Sequence, residues 1–159
     1  LQRGQAALRT DDLNAALTAF QQASRDDPGN VDAVNHLGLV ERKLGRLPDA
    51  ERDLQRALAL EPIRASAWFQ LAQVYGLSED GRRARGALAN TYRFAQNPMR
   101  AEEILRNIAE SEASDTLRTA ALETLRLYQL PVEAGIVPPL PANPDIVPLR
   151  TAPASGLKP

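Results

Sequence analysis

Apolar and small residues in the middle of the chain recur at the three- and four-residue spacings of an α-helix. One stripe comprises Val34, Leu37, Gly38 and Glu41, and a second comprises Ala50, Leu54, Ala57 and Leu58. Such spacings place side chains on one face of a helix, which predicts that each stripe is buried. Gly45 and Pro48 separate the stripes. Glycine commonly follows a helix and proline suits a first turn, so residues 31–64 are predicted to form a helical hairpin.

The hairpin pattern recurs at a period of 34 residues. Toward the N-terminus the matching pairs are Gly4 and Gly38, Ala16 and Ala50, Phe20 and Leu54, Ala23 and Ala57, and Pro28 and Pro62. Gly38 lies inside a predicted helix, where glycine costs about 1 kcal/mol relative to alanine. We therefore expect a neighbouring helix to approach closely at this position. Residues 1–30 are predicted to form a first, shorter unit.

A third copy occupies residues 65–98 and carries the most specific pattern in the chain. Its first helix contains Trp68, Leu71, Ala72 and Tyr75, and its second contains Ala84 and Leu88. We expect Trp68 to be buried between the second and third units. Gln96 stands where the earlier units have proline, and Asn97-Pro98 follows it. This late breaker predicts that the second helix of the unit is longer than usual.

Helix pairs of 34 residues with a W-x2-L-G-x2-Y pattern resemble the tetratricopeptide repeat (TPR) family. Leu37 and Gly38 in the second unit and Trp68 and Tyr75 in the third carry the resemblance. It implies an all-α fold, a right-handed α-solenoid of antiparallel helix pairs. Residues 1–98 then hold three TPR units, of which the first is truncated at its N-terminus.

Residues 99–130 fit the family pattern loosely and are predicted to form a degenerate TPR-like helix pair that caps the array. Their apolar stripes are Ile104, Leu105, Ile108 and Ala109 in one helix, and Leu117, Ala121, Leu122, Leu125 and Tyr128 in the other. Ser114 is expected to be the N-cap of the second helix. Terminal repeats are commonly atypical, because one of their faces meets solvent.

Residues 131–159 contain 8 of the 12 prolines and cannot continue a helical array. They are predicted to form a proline-rich extended tail. The tripeptide Ile136-Val137-Pro138 recurs at residues 146–148. One interpretation is a disordered tail, and the other is a tail whose apolar clusters dock on the helical array or on a partner.

Composition and charge limit the classes of partner. The net charge of -1 and the pI near 5.9 give no reason to expect nucleic acid or an anionic membrane. No apolar run approaches the length of about 18 residues needed for a membrane span. The chain has no cysteine, which leaves the bacterial periplasm and the cytoplasm both open. Arginine far outnumbers lysine, which favours a bacterial source, and the start at Leu1 predicts further chain upstream.

Catalytic patterns are weak throughout, so we expect a protein that is not an enzyme and needs no cofactor or metal. His36 is the only histidine and adjoins the predicted buried residue Leu37. Ser155 and Lys158 form an S-x-x-K sequence, but in a tail rather than on a rigid helix. The basic residues around Arg83 follow acidic ones and have no aromatic platform, which favours a solvated helix face over a nucleic-acid site.

The TPR resemblance implies that the first helix of each unit lines a concave groove for a protein or peptide. The residues predicted to bind the partner are Arg9, Asn35, Leu39, Arg42, Lys43, Phe69 and Gln73. Gln5, Leu8, Asp32 and Ser66 belong to the same stripe. An asparagine can bond a peptide backbone, cations can pair with a carboxylate, and Leu39 and Phe69 can receive an apolar side chain.

Two functions remain open from the sequence. The first is a scaffold or adaptor for protein–protein interaction, for example in bacterial envelope or secretion-system assembly. The second is a regulatory or substrate-recruiting TPR domain of a larger enzyme. The groove would serve both, and chain outside these residues would decide between them.

Overall fold

The computed structural model describes residues 1–110 and 114–129, and within these ranges the chain forms helices and no strand. The helices are α1 (Gln2–Arg9), α2 (Leu13–Asp26), α3 (Val31–Lys43), α4 (Leu47–Leu60), α5 (Ala65–Leu77), α6 (Gly81–Arg93), α7 (Pro98–Glu110) and α8 (Asp115–Gln129). The predicted tail at residues 131–159 lies outside the described part of the chain.

The first six helices keep the 34-residue period predicted from the sequence. α2, α4 and α6 begin at Leu13, Leu47 and Gly81, and α3 and α5 begin at Val31 and Ala65. Each of these helices packs against the next one in the chain, across a short turn that makes the two antiparallel. The prediction of an all-α solenoid built from helix pairs is therefore confirmed.

The turns inside the three units share one backbone conformation. Asp11, Gly45 and Glu79 are 34 residues apart and have positive φ angles of 57°, 75° and 58°. Only glycine adopts this left-handed conformation without a side-chain penalty. In the first and third units the next residue, Asp12 or Asp80, accepts a backbone N–H from the first turn of the following helix. This cap stabilises the turn where glycine is missing.

Glycines inside the first helices of the first two units allow close approach of their partner helices. A Cβ built at Gly38 would lie 2.5 Å from Leu54 Cγ, and one built at Gly4 would lie 2.7 Å from the ring of Phe20. Both distances are far below van der Waals contact, so each glycine is required by the packing. The expected close approach at Gly38 is confirmed.

Trp68 joins the second unit to the third. Its side chain is 4% exposed and belongs to the main core, which extends from Val34 to Leu125. The indole Nε1–H donates to the carbonyl oxygen of Pro62 at 2.9 Å, so the buried polar group is satisfied. The expected burial of Trp68 is therefore confirmed.

The prediction of a longer second helix in the third unit is wrong. α6 ends at Arg93 and has 13 residues, whereas α2 and α4 have 14 each. The late breaker starts α7 instead of extending α6. Asn97 Oδ1 accepts the backbone N–H of Arg100 at 3.1 Å, and Pro98 is the first residue of α7. The residues after Arg93 therefore form the link between the two helices.

The fourth helix pair packs differently from the first three. α8, not α7, lies against both α5 and α6. It runs parallel to α6, since Arg85 pairs with Glu123 at 3.0 Å and the Tyr128 hydroxyl donates to the Ala89 carbonyl oxygen at 3.2 Å. α7 packs on α8 and on α6 but does not pack on α5. A gap therefore remains between α5 and α7.

The start of α8 is fixed against the end of α5. Ser114 Oγ accepts the backbone N–H of Leu117 at 3.4 Å, which confirms Ser114 as the N-cap, and donates to the Gly76 carbonyl oxygen at 3.0 Å. A Cβ at Gly76 would meet Leu117 Cβ at 3.0 Å. The placement of α8 thus depends on the missing side chain at residue 76.

Candidate protein-binding surface

Polar side chains join the first helices of the second and third units. Asn35 Nδ2 donates to Ser66 Oγ at 3.3 Å, and Arg42 Nε donates to Gln70 Oε1 at 3.0 Å. Both hydrogen bonds cross from α3 to α5, so these two predicted residues lie on the side that the first helices share. We call the surface formed on this side by α1, α3 and α5 the first-helix face.

Asn35 is less accessible than expected. The residue is 8% exposed, although it is among the residues predicted to bind the partner. Its bond to Ser66 holds it between α3 and α5. Asn35 Oδ1 and Gln73 Oε1 are both buried without a hydrogen-bond partner among the described residues. In this structure Asn35 therefore links α3 to α5 and does not present an open amide.

The predicted cations lie at the ends of α1 and α3. Arg9 is exposed in the last turn of α1, and Lys43 Nζ lies 3.9 Å from Asp11 Oδ1 in the turn of the first unit. Arg42 is half-buried, and this burial lowers the pKa of its guanidinium. Leu39, on the same helix, is also half-buried. Positive charge is thus available at this end of the first-helix face.

Asp32, at the other end of α3, is engaged by Arg64. One guanidinium nitrogen of Arg64 donates to the Asp32 carboxylate, and Nη1 donates to Glu61 Oε2 at 2.8 Å. Charge-assisted hydrogen bonds of this kind are stronger than neutral ones. Asp32 therefore connects the second unit to the start of the third.

A cleft of about 670 Å³ opens between α5 and α7. It occupies the gap that remains because α8, and not α7, packs against α5. Its apolar lining consists mainly of Phe69 from α5, Phe94 at the end of α6, and Ala101 and Ile104 from α7. Phe69 and Phe94 are half-buried and pack against the main core. We call this opening the α5–α7 cleft. Its volume lies within the range of clefts that bind ligands.

Charged groups stand at the edges of the α5–α7 cleft. Arg64 and Glu61 form their ion pair on the α5 side. Arg100 stands on the α7 side, is exposed, and makes no ion pair with any residue that the structure describes. The cleft therefore combines an apolar interior with a cation that is available to an acidic group.

The sequence assigns Phe69 and Ser66 to the stripe of the first helices but does not indicate the α5–α7 cleft or its α7 wall. Ile104 belongs to the predicted apolar stripe of the first helix of the fourth pair, and the structure shows it half-buried in the cleft lining. The periodic pattern does identify Ile104 as part of an apolar face. It does not reveal that α8 takes the position against α5 and α6, which leaves that face of α7 uncovered.

Other candidate groups have structural partners. The imidazole of His36 stacks on the ring of Phe20 at 5.0 Å, and His36 Nδ1 lies 2.7 Å from the Asp32 carbonyl oxygen. Arg83 pairs with Asp80 and Glu51 and lies over the ring of Tyr75. Among residues 1–110 and 114–129 no group of three or more acidic or histidine side chains is arranged to hold a metal.

None of the described helices has the length and hydrophobicity needed to cross a bilayer.

Comparison with known sequences gives a family match and matches to individual proteins. A family described as tetratricopeptide repeat matches residues 1–51 and 37–98. Cellulose synthase operon protein C of Komagataeibacter xylinus is 39% identical over 67 residues, which are 42% of this chain and 5% of that protein. The general transcriptional corepressor ssn6 of Schizosaccharomyces pombe is 26% identical over 98 residues, which are 62% of this chain and 9% of that protein.

A solved structure of a Thermobaculum terrenum O-GlcNAc transferase mutant has a similar arrangement of helices. It superposes with a TM-score of 0.61 at 26% sequence identity, over 80% of this chain and 25% of the transferase chain. This chain thus spans a quarter or less of each of these proteins.

Proposed function

The chain belongs to the tetratricopeptide repeat family, and we propose that it is a non-catalytic scaffold that holds an extended segment of a partner protein. Stacked helical repeats of this kind form extended surfaces that bind other proteins. The proposed contact surface is the first-helix face together with the α5–α7 cleft. Arg9, Leu39, Arg42 and Lys43 would contact one end of the segment and Phe69 the other, with Gln73 between them. Asn35 would support this surface through its hydrogen bond to Ser66.

The observation that carries this proposal is the α5–α7 cleft. Phe69 and Ile104 stand on opposite walls, and both are half-buried in the absence of any occupant. An apolar side chain placed between them would remove further apolar surface from water, at about 25 cal/mol per Å². Arg100 at the edge adds a partner for a carboxylate. A segment with an apolar anchor near an acidic group therefore fits best.

Panning a displayed random-peptide library on the chain tests this function. Peptides enriched on the parent chain should be lost on the Ile104→Arg variant, because the guanidinium would occupy the apolar cleft. The matched control is Leu77→Arg, which changes an exposed leucine, 54% accessible, at the far end of α5. Circular dichroism should show equal helicity in all three proteins. Retention of the same peptides by the Ile104→Arg variant would exclude the cleft as the site.

We further propose that the scaffold acts in bacterial envelope or secretion-system assembly. The support is the 39% identity to a protein named for a cellulose synthase operon. Co-purification of the chain with membrane-associated assembly proteins from a bacterial source would support this role. Co-purification with cytoplasmic enzymes alone would contradict it.

A regulatory or substrate-recruiting domain of a larger enzyme is the second candidate. It is favoured by the similarity to the transferase, in which helices like these superpose on 25% of an enzyme chain. In that case the peptides selected by the α5–α7 cleft should resemble segments of an enzyme's substrates. Activity of a fused catalytic domain on such substrates should then fall with Ile104→Arg and persist with Leu77→Arg.

A further inference from the structure

The C-terminal end of α8 and the α5–α7 cleft lie at the same end of α6. Tyr128, in the last turn of α8, donates its hydroxyl hydrogen to the Ala89 carbonyl oxygen, and its ring packs at a tilt against that of Tyr92, with ring centroids 4.4 Å apart. Phe94, two residues after Tyr92, lines the cleft. α7 also begins at this end of the molecule and packs along α8. The segment that follows Gln129 therefore starts at the same end of the molecule as the cleft.

The residues that follow α8 are numerous enough to span more than one helix. Residues 130–135 separate Gln129 from Ile136. Six extended residues span at most about 20 Å, which is roughly twice the diameter of a helix with its side chains. Ile136 can therefore contact a site up to about two helix diameters from the end of α8.

The sequence of residues 133–140, EAGIVPPL, is complementary to the cleft. Glu133 is the acidic group, and Ile136 and Val137 are the apolar side chains that follow it three and four residues later. The cleft offers Arg100 at its edge and Phe69 with Ile104 inside. Proline fixes its own φ and restricts the residue before it, so this segment loses less conformational entropy on binding than an ordinary coil.

We propose that residues 133–140 dock in the α5–α7 cleft of their own molecule. The proposal rests on the position of the C-terminal end of α8, the length of residues 130–135, and the match between the side chains of residues 133–140 and those of the cleft. Ile136 and Val137 lie against Phe69 and Ile104, and Glu133 pairs with Arg100. This inference uses the surface of the proposed function but names an occupant that is present without any partner. A partner segment must displace the docked residues before it can bind there.

The absence of cysteine makes a cross-linking test direct. The full chain carrying Ile104→Cys and Ile136→Cys is oxidised mildly at several protein concentrations. An intramolecular disulfide should form about tenfold faster than in the control pair, because docking holds the two thiols at a high effective concentration. The control pair is Leu77→Cys with Ile136→Cys, since Leu77 is exposed at the opposite end of α5. Helicity of the reduced variants is checked by circular dichroism.

Swapping the charges at residues 100 and 133 in the same cysteine pair provides a second measurement of the rate of disulfide formation. Arg100→Glu should slow disulfide formation, and adding Glu133→Arg should restore it. Equal rates in the cleft and control pairs would overturn the proposal. A product that is mainly a cross-linked dimer would also overturn it, because the occupant would then come from a second copy. Neither readout requires a partner, so the result is independent of the peptide-library test.

Discussion

At the scale of single residues, Glu41 departs most clearly from its equivalents in the repeat. It occupies the position taken by Tyr75 one unit later, and it is 3% exposed. Asp53, 6% exposed, faces it from α4 and is bound by Arg52 at 3.1 Å. Burial, followed by the negative charges of Asp53 and Asp49, raises the pKa of Glu41 to about 7. The second unit therefore contains a carboxyl group that is neutral in mildly acidic solution.

This arrangement predicts a specific pH dependence of stability. Between pH 4.5 and about 7 the unfolded chain loses the Glu41 proton while the folded chain retains it. The contribution of this group to the unfolding free energy should therefore fall as pH rises through that window, by roughly 1 to 3 kcal/mol, and stay level above it. Urea unfolding followed by circular dichroism at pH 5 and pH 8 measures the change.

The Glu41→Gln variant is the control for this prediction, because it keeps the size and polarity of the side chain without the titration. Asp53, Asp49 and Arg52 face Glu41 and remain in both proteins. The difference in unfolding free energy between parent and variant should therefore change with pH. A constant difference between pH 5 and pH 8 would show that Glu41 does not titrate in this window.

At the scale of the helices, most of the fold was predictable because the repeat fixes it locally. The apolar stripes and Gly45 predict where α1 to α6 begin and end to within a few residues. They do so because each helix buries the same face against the equivalent neighbouring helices. The position of α8 was not predictable. Its apolar residues indicate a buried face, but the close approach at Gly76 and the hydrogen bond from Ser114 join residues far apart in the chain. The α5–α7 cleft follows from that placement, so its α7 wall was missed.

The packing of Trp68 between α4 and α5 gives a prediction at this scale. Trp68→Ala should lower the unfolding free energy by about 3 to 5 kcal/mol, because it removes a large buried side chain and leaves a cavity. It also removes the donor to the Pro62 carbonyl oxygen. Leu77→Ala in the same helix is the control and should change little, since Leu77 is 54% exposed. Equal urea midpoints for the parent and Trp68→Ala would mean that the stability of the fold does not depend on the buried Trp68 side chain.

At the scale of the whole molecule, stability is expected to be unevenly distributed. The main core joins α3 to α8, whereas a smaller cluster of Ala16, Leu17, Phe20, Leu37 and Val40 joins α2 to α3. α1 has eight residues, buries only Gly4, and packs against α2 alone. α5 packs against α3, α4, α6 and α8. In a repeat array stability is approximately a sum of unit and neighbour terms, so a helix with one neighbour opens more easily than one with four.

Native-state amide hydrogen exchange should therefore show a gradient along the array. Exchange should be fastest in α1, intermediate in α2, and slowest in α5 and α6. Phe20→Ala removes the ring that packs beneath Gly4 and His36, so it should speed exchange in α1 to α3 and leave α6 nearly unchanged. Global unfolding would instead change all helices equally, because every amide would exchange through the same open state. A uniform response to Phe20→Ala would contradict the neighbour-by-neighbour description and make the array a single cooperative unit.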